Sequence, residues 1–149
     1  MMHDDTSGTA RPSALLSRGF LGGDARSFED IVADDKRTLD RLGISLADMA
    51  AALEAVYRRA RDNLGAAVDL GGGRRTVFHE SMGRIPSPLG GGLFEKGEVV
   101  VADEQGKELL IITALSIHLI REYGFFQGRG AHFRIDPEKA AEVLGPARR

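Results

Sequence analysis

The sequence contains no cysteine. This absence excludes a disulfide framework, a thiol nucleophile and a cysteine-ligated zinc site. No apolar run approaches the roughly 18 residues that a membrane span needs. The first residues include neither the basic nor the apolar segment of a signal peptide. We therefore expect a cytoplasmic protein that does not interact with a membrane.

An excess of positive charge is also missing. The 20 basic and 22 acidic residues give a net charge of -2, whereas nucleic-acid-binding domains are usually basic. Nucleic acid is therefore not expected as a partner. Only four of the basic residues are lysines, so sixteen are arginines. This bias indicates either recognition of carboxylate or phosphate groups or the codon usage of a GC-rich genome.

Length and composition indicate one domain. The 149 residues, 42% of them hydrophobic and 28% charged, are typical of a single globular unit. Small and polar residues dominate positions 1–26, which we predict to form a flexible N-terminal tail. Apolar residues at 15–16 and 20–21 interrupt this tail and offer a docking segment for the domain or for a neighbouring subunit. Residues 27–146 form the predicted domain, and 147–149 form a short C-terminal tail.

Two N-terminal helices are predicted from their capping residues. Ser27 and Ser45 each precede an apolar stripe with helical spacing, and each is followed three positions later by an aspartate, Asp30 or Asp48. Gly43 is a suitable end for the first helix. Because so few residues separate the two helices, they should form a hairpin or a sharp corner.

The middle of the chain is predicted to form strands. These strands cover residues 76–81, 98–103 and 107–113. The last two are separated by a short turn and should pair as an antiparallel hairpin. Residues 82–93 hold two prolines and four glycines and are predicted to form a loop.

The C-terminal part is predicted to return to helix. A third helix covers 114–123, a short strand covers 132–135, and a short helix begins with Asp136 and Pro137. Helices cluster along the chain rather than alternate with strands, which favours the α+β class. We predict an N-terminal helical hairpin packed on a small, mainly antiparallel sheet of three to four strands, with a third helix and a short C-terminal helix.

A candidate binding site follows from the two glycine-rich segments. Residues 124–134 combine glycine with phenylalanine, arginine and histidine, a set that suits an organic acid, a nucleotide or a phosphate. The alternative is that the phenylalanines of this segment fill the core. We predict a concave site for a small anionic ligand between this segment, the 82–93 loop and the polar side of the third helix. The predicted ligand-binding residues are Arg84, His118, Arg121, Arg129, His132 and Arg134.

Three histidines give an alternative function, a metal-dependent enzyme. His79, His118 and His132 lie in separate predicted elements, and Glu122 follows His118 by one helical turn. Imidazole and carboxylate groups suit zinc, iron or manganese. The spacing of the four residues matches no metal motif, so each histidine could equally be an ordinary surface or hydrogen-bonded residue.

Two further functions stay open. The glycine turn between the first two helices resembles that of a helix-turn-helix, which makes a DNA-binding regulator through residues 27–64 a second alternative. Asp48 argues against it, because an aspartate there would repel phosphate. A homo-oligomer that acts as an assembly part is the other alternative. The sequence assigns no cofactor, and the leading prediction is a binding module for a small anionic ligand or a partner.

Overall fold

The computed structural model describes residues 19–146, which form four helices and six strands. The helices are α1 (Phe28–Leu42), α2 (Leu46–Asp62), α3 (Ala114–Tyr123) and α4 (Pro137–Leu144). The strands are β1 (Val68–Gly71), β2 (Arg74–His79), β3 (Arg84–Pro86), β4 (Leu93–Glu95), β5 (Glu98–Ala102) and β6 (Glu108–Thr113). The predicted α+β class and N-terminal helical hairpin are confirmed. The predictions for residues 1–18 and 147–149 lie outside the described residues.

Capping fixes the helical hairpin. The hydroxyl of Ser27 accepts a hydrogen bond from the backbone N–H of Asp30 at 3.1 Å, and Ser45 accepts one from Asp48 at 3.0 Å. These bonds satisfy donors that have no partner within the helix. Gly43 ends α1 with a φ of 72°, a left-handed conformation that glycine adopts without steric cost. The two predicted N-caps and the predicted stop are thus confirmed.

The main sheet is antiparallel throughout. Its strand order is β1-β2-β5-β6, and β5 and β6 form the predicted hairpin, with Val99 opposite Ile112 and Val101 opposite Leu110. All four of these side chains are buried in one core with residues of α2 such as Leu53. Because side chains alternate between the faces of a strand, this pattern places the helices on one face of the sheet. The strands β3 and β4 form a separate two-stranded hairpin.

A second, smaller core includes part of the predicted tail. Phe20 is buried with Ile31, Leu119 and Phe125, and the backbone of the loop after α3 binds the same segment. The packed domain therefore begins before residue 27. No helix within residues 19–146 is long and apolar enough to cross a membrane.

Three segments differ from their predicted structure. Residues 68–71 form the edge strand β1, for which no strand was predicted. The predicted loop 82–93 contains β3 and the start of β4. The strand predicted at 132–135 is wrong, because these residues form a turn in which the N–H of Arg134 donates to the carbonyl of Ala131 at 3.1 Å. Ile135 is buried there by packing rather than by strand pairing.

Candidate functional site

A cavity of about 620 Å³ lies between residues 19–22, the β3–β4 hairpin and the loop that follows α3. We call it the main cavity. Its apolar wall includes Phe20, Ile85, Leu115 and Phe133. The polar residues that line it are Ser81, Glu95, Lys96, Glu98, Thr113, Gln127 and His132. Small-molecule sites in proteins have this range of volume and this mixture of apolar wall and few polar groups.

Two backbone segments cross closely at one wall of the main cavity. A Cβ on Gly22 would lie 1.9 Å from the backbone nitrogen of Ala131, and a Cβ on Gly128 would lie 2.2 Å from the carbonyl oxygen of Leu21. Both distances are far below van der Waals contact, so the crossing requires glycine at both positions. The N–H of Gly128 also donates to the carbonyl of Phe20 at 2.8 Å. The N-terminal segment is therefore fastened directly to the loop after α3.

Asp24 strengthens the same junction. Its carboxylate accepts hydrogen bonds from the Arg26 guanidinium and from the backbone N–H of Arg129, the latter at 3.0 Å. Arg26 also pairs with Asp34 of α1 at 2.8 Å. The hydrogen bonds from Arg26 hold the pKa of Asp24 well below its usual range. The ionised carboxylate of Asp24 thus connects α1, the N-terminal segment and the loop after α3.

Gln127 is a largely buried residue that lines the main cavity. The residue is 4% exposed, and no described residue hydrogen-bonds to its side-chain amide. Its backbone φ is 74°, a left-handed conformation that is uncommon for a residue with a Cβ. Its carbonyl accepts a hydrogen bond from Arg134. Gln127 therefore combines an unpaired polar group with a strained backbone.

The four arginines of the predicted site do not converge on the main cavity. Arg134 forms a two-pronged ion pair with Asp35 at 2.9 and 3.0 Å, and both side chains are largely buried. Arg121 pairs with Glu54 at 2.7 Å. Arg129 is exposed and contributes only its backbone N–H to the junction described above, while the fourth, Arg84, is exposed on β3. Two of the predicted anion-binding groups thus bind carboxylates of the chain itself.

His118 has a structural contact rather than a ligand. Its Nε2 lies 3.1 Å from the carbonyl oxygen of Gly90, and its ring packs against Phe94 with 4.5 Å between centroids. The hydroxyl of Tyr123, one turn and a residue further along α3, donates to the carbonyl of Leu89 at 2.8 Å. These two side chains fasten the turn between β3 and β4 onto α3.

The four residues of the predicted metal set are not gathered into one group. Within residues 19–146, no three histidine or acidic side chains lie close enough to hold a metal ion. His79 is exposed at the end of β2, His132 lines the main cavity, and His118 and Glu122 line a different cleft between α2 and α3. His132 is the one residue of the predicted ligand set that lines the main cavity in the described part of the chain.

The cleft between α2 and α3 holds internal ion pairs. It encloses about 330 Å³. The hydroxyl of Tyr57 donates to Glu95, whose carboxylate also lies 3.2 Å from Nε of Arg61. Burial, with a further contribution from the bond to Glu95, raises the pKa of Tyr57. Arg58 and Arg121 also line this cleft, and both form ion pairs with Glu54. The arginines of the cleft are therefore paired with carboxylates of the chain itself.

Comparison of the chain with models of known protein families, with curated proteins and with solved structures finds no match. Its function must therefore be inferred from the geometry of the site. That geometry adds Gln127, which the sequence analysis missed. A lone glutamine beside Gly128 belongs to no motif, and only the fold shows that this residue is 4% exposed and lines the main cavity.

Proposed function

We propose that the protein is a binding module for a small, largely apolar molecule held in the main cavity. The observation that supports this proposal is the cavity itself, about 620 Å³ in volume and lined by apolar side chains with a few polar groups. It lies between the two glycine-rich segments, where the sequence also predicted a site. Transfer of apolar ligand surface out of water would supply most of the binding free energy.

The charges around the main cavity favour an uncharged ligand. Glu95, Lys96 and Glu98 line it, and none of its described lining residues is an arginine. Because Glu95 is already paired with Arg61, the charges of Lys96 and Glu98 balance, and a carboxylate or phosphate would meet no net positive charge there. The proposal therefore keeps the binding function predicted from the sequence but replaces its anionic ligand.

A substitution that fills the main cavity tests this function. The dye Nile red is uncharged and apolar, and its fluorescence rises in an apolar site. We expect it to bind the full-length protein with saturation at one molecule per chain. Ala131→Phe places a ring into the cavity and should weaken binding at least tenfold.

Ala67→Phe is the matched control, because Ala67 is exposed in the segment before β1 and does not line the cavity. This variant should bind the dye as the parent protein does. Urea unfolding of both variants should show that each is folded. Equal dye binding by the parent and Ala131→Phe would place the dye elsewhere and contradict the proposal.

A further inference from the structure

We propose that the side-chain amide of Gln127 recognises the ligand, and that the ligand offers a hydrogen-bond donor beside an acceptor. A primary or secondary carboxamide, a lactam and the edge of a nucleobase all have this pattern. The inference rests on the proposed binding function and names the chemical class that the main cavity selects.

The first observation is the unpaired amide. A glutamine side chain carries two N–H donors and one carbonyl acceptor. Gln127 is 4% exposed and lines the main cavity, and none of these groups has a hydrogen-bond partner within residues 19–146. Among the described residues, the buried side-chain polar atoms without a partner do not include this amide, so its atoms keep some accessible surface although the residue is almost fully buried. A ligand in the cavity could therefore form hydrogen bonds to both sides of the amide without displacing an internal partner.

The second observation is how the backbone holds the amide. The φ of 74° strains any residue with a Cβ, whereas glycine would adopt it freely. The strain is maintained by a buried contact, because the guanidinium of Arg134 binds the Gln127 carbonyl while it is itself held by Asp35. Strained backbone conformations that the surrounding contacts hold in place are concentrated at functional sites. Arg134, which the sequence predicted as a ligand-binding residue, is therefore a positioning residue for Gln127.

The third observation concerns the surrounding charge. An amide can also bind a carboxylate through its N–H groups, but a carboxylate has no donor for the Gln127 carbonyl. Glu95 is paired with Arg61, and Glu98 balances Lys96, so the cavity offers a carboxylate no net positive charge. An uncharged group with both a donor and an acceptor needs no counter-charge and pairs with both sides of the amide.

Three naphthalenes of nearly equal shape test the inference. 2-Naphthamide has a donor and an acceptor, 2-acetonaphthone has the acceptor alone, and 2-isopropylnaphthalene has neither. The chain contains no tryptophan, so naphthalene fluorescence reports binding directly. We expect the full-length protein to bind 2-naphthamide at least tenfold more tightly than 2-isopropylnaphthalene, with 2-acetonaphthone between them.

Gln127→Met keeps the length of the side chain and removes its amide. It should lower the affinity for 2-naphthamide at least tenfold and change that for 2-isopropylnaphthalene less than threefold. Gln105→Met is the matched control, since Gln105 is exposed in the turn between β5 and β6, and it should preserve all three affinities. If Gln127→Met does not fold, the side-chain NH₂ resonances of Gln127 in the parent protein give the answer. They should shift downfield with 2-naphthamide and not with 2-isopropylnaphthalene.

The outcomes separate the inference from the function on which it rests. Equal binding of the three naphthalenes, or unchanged NH₂ resonances in the presence of bound 2-naphthamide, would refute the role of Gln127 and leave a cavity that binds apolar molecules. Failure of Nile red and of all three naphthalenes to bind would overturn both proposals.

Discussion

The buried pair between Asp35 and Arg134 should be one of the most sensitive points of the domain. It joins α1 to the loop after α3 through bonds of 2.9 and 3.0 Å, and the side chains are only 6% and 13% exposed. Asp35→Ala leaves the guanidinium of Arg134 buried without its counter-charge. Removing one partner of a buried pair costs about 3–5 kcal/mol, a large fraction of the 5–15 kcal/mol that typically stabilises a domain.

Replacing both partners should cost less than replacing one. In the double variant Asp35→Leu with Arg134→Met no buried charge is left uncompensated, and apolar replacements of similar size are often neutral. The Gln127 carbonyl still loses its bond from Arg134, which is worth about 2 kcal/mol for a charged donor. We expect the double variant to cost near that value and each single variant, Asp35→Leu or Arg134→Met, to cost about 3–5 kcal/mol, which gives a favourable coupling of at least about 4 kcal/mol between the two residues.

Urea unfolding followed by circular dichroism measures these changes. Asp40→Ala is the matched control, because Asp40 forms an exposed pair with Lys36 on the same helix at 3.1 Å. Such a pair contributes about 0.3–0.5 kcal/mol. The transition midpoints should shift without a change in slope. If Asp35→Ala costs no more than Asp40→Ala, the pair does not stabilise the fold in the way described.

Three further variants concern polar side chains. The hydroxyl of Thr76 is fully buried in β2 and has no hydrogen-bond partner among residues 19–146, so Thr76→Val should raise the free energy of unfolding by about 1 kcal/mol or more in the same urea assay. Thr113→Val is the matched comparison. The hydroxyl of Thr113 caps α3 by accepting a hydrogen bond from the N–H of Ser116 at 3.0 Å, so this variant should lower the free energy of unfolding by about 1 kcal/mol. Equal effects of the two substitutions would contradict the view that only the Thr113 hydroxyl forms a stabilising hydrogen bond. The folded-state pKa of Asp24 lies below its unfolded value of about 3.9, so the stability it contributes is present above about pH 4 and lost as the pH falls further. Asp24→Asn should flatten this acid-side decline, and a decline as steep as in the parent protein would assign it to other carboxylates.

The elements that were predicted correctly are those whose stabilising contacts lie between residues close together in the sequence. Ser27 and Ser45 lie within one turn of the N–H groups they cap, and the β5–β6 hairpin closes within a few residues. The missed strand β1 has only four residues, and the glycines after it, which suggested a loop, form the turn of the β1–β2 hairpin. Short strands bury too few side chains for a clear alternation.

The site was less predictable because its contacts are distant in sequence. Asp35 and Arg134 are 99 positions apart, and Arg121 and Glu54 are 67 apart. Composition left open whether the arginine excess reflects recognition of carboxylate or phosphate groups or codon usage, and it could not show that Arg121 and Arg134 pair with carboxylates of the chain itself. The left-handed backbone conformation of Gln127 could not be predicted from the sequence, because glycine and asparagine are the residues that commonly adopt it.

The glycine crossing at the wall of the main cavity also joins two segments that are synthesised far apart in time. Asp24 and Arg129 are 105 positions apart, so this wall cannot close until residue 129 has been synthesised. A ligand that binds only the closed cavity would add its binding free energy to the stability of this crossing.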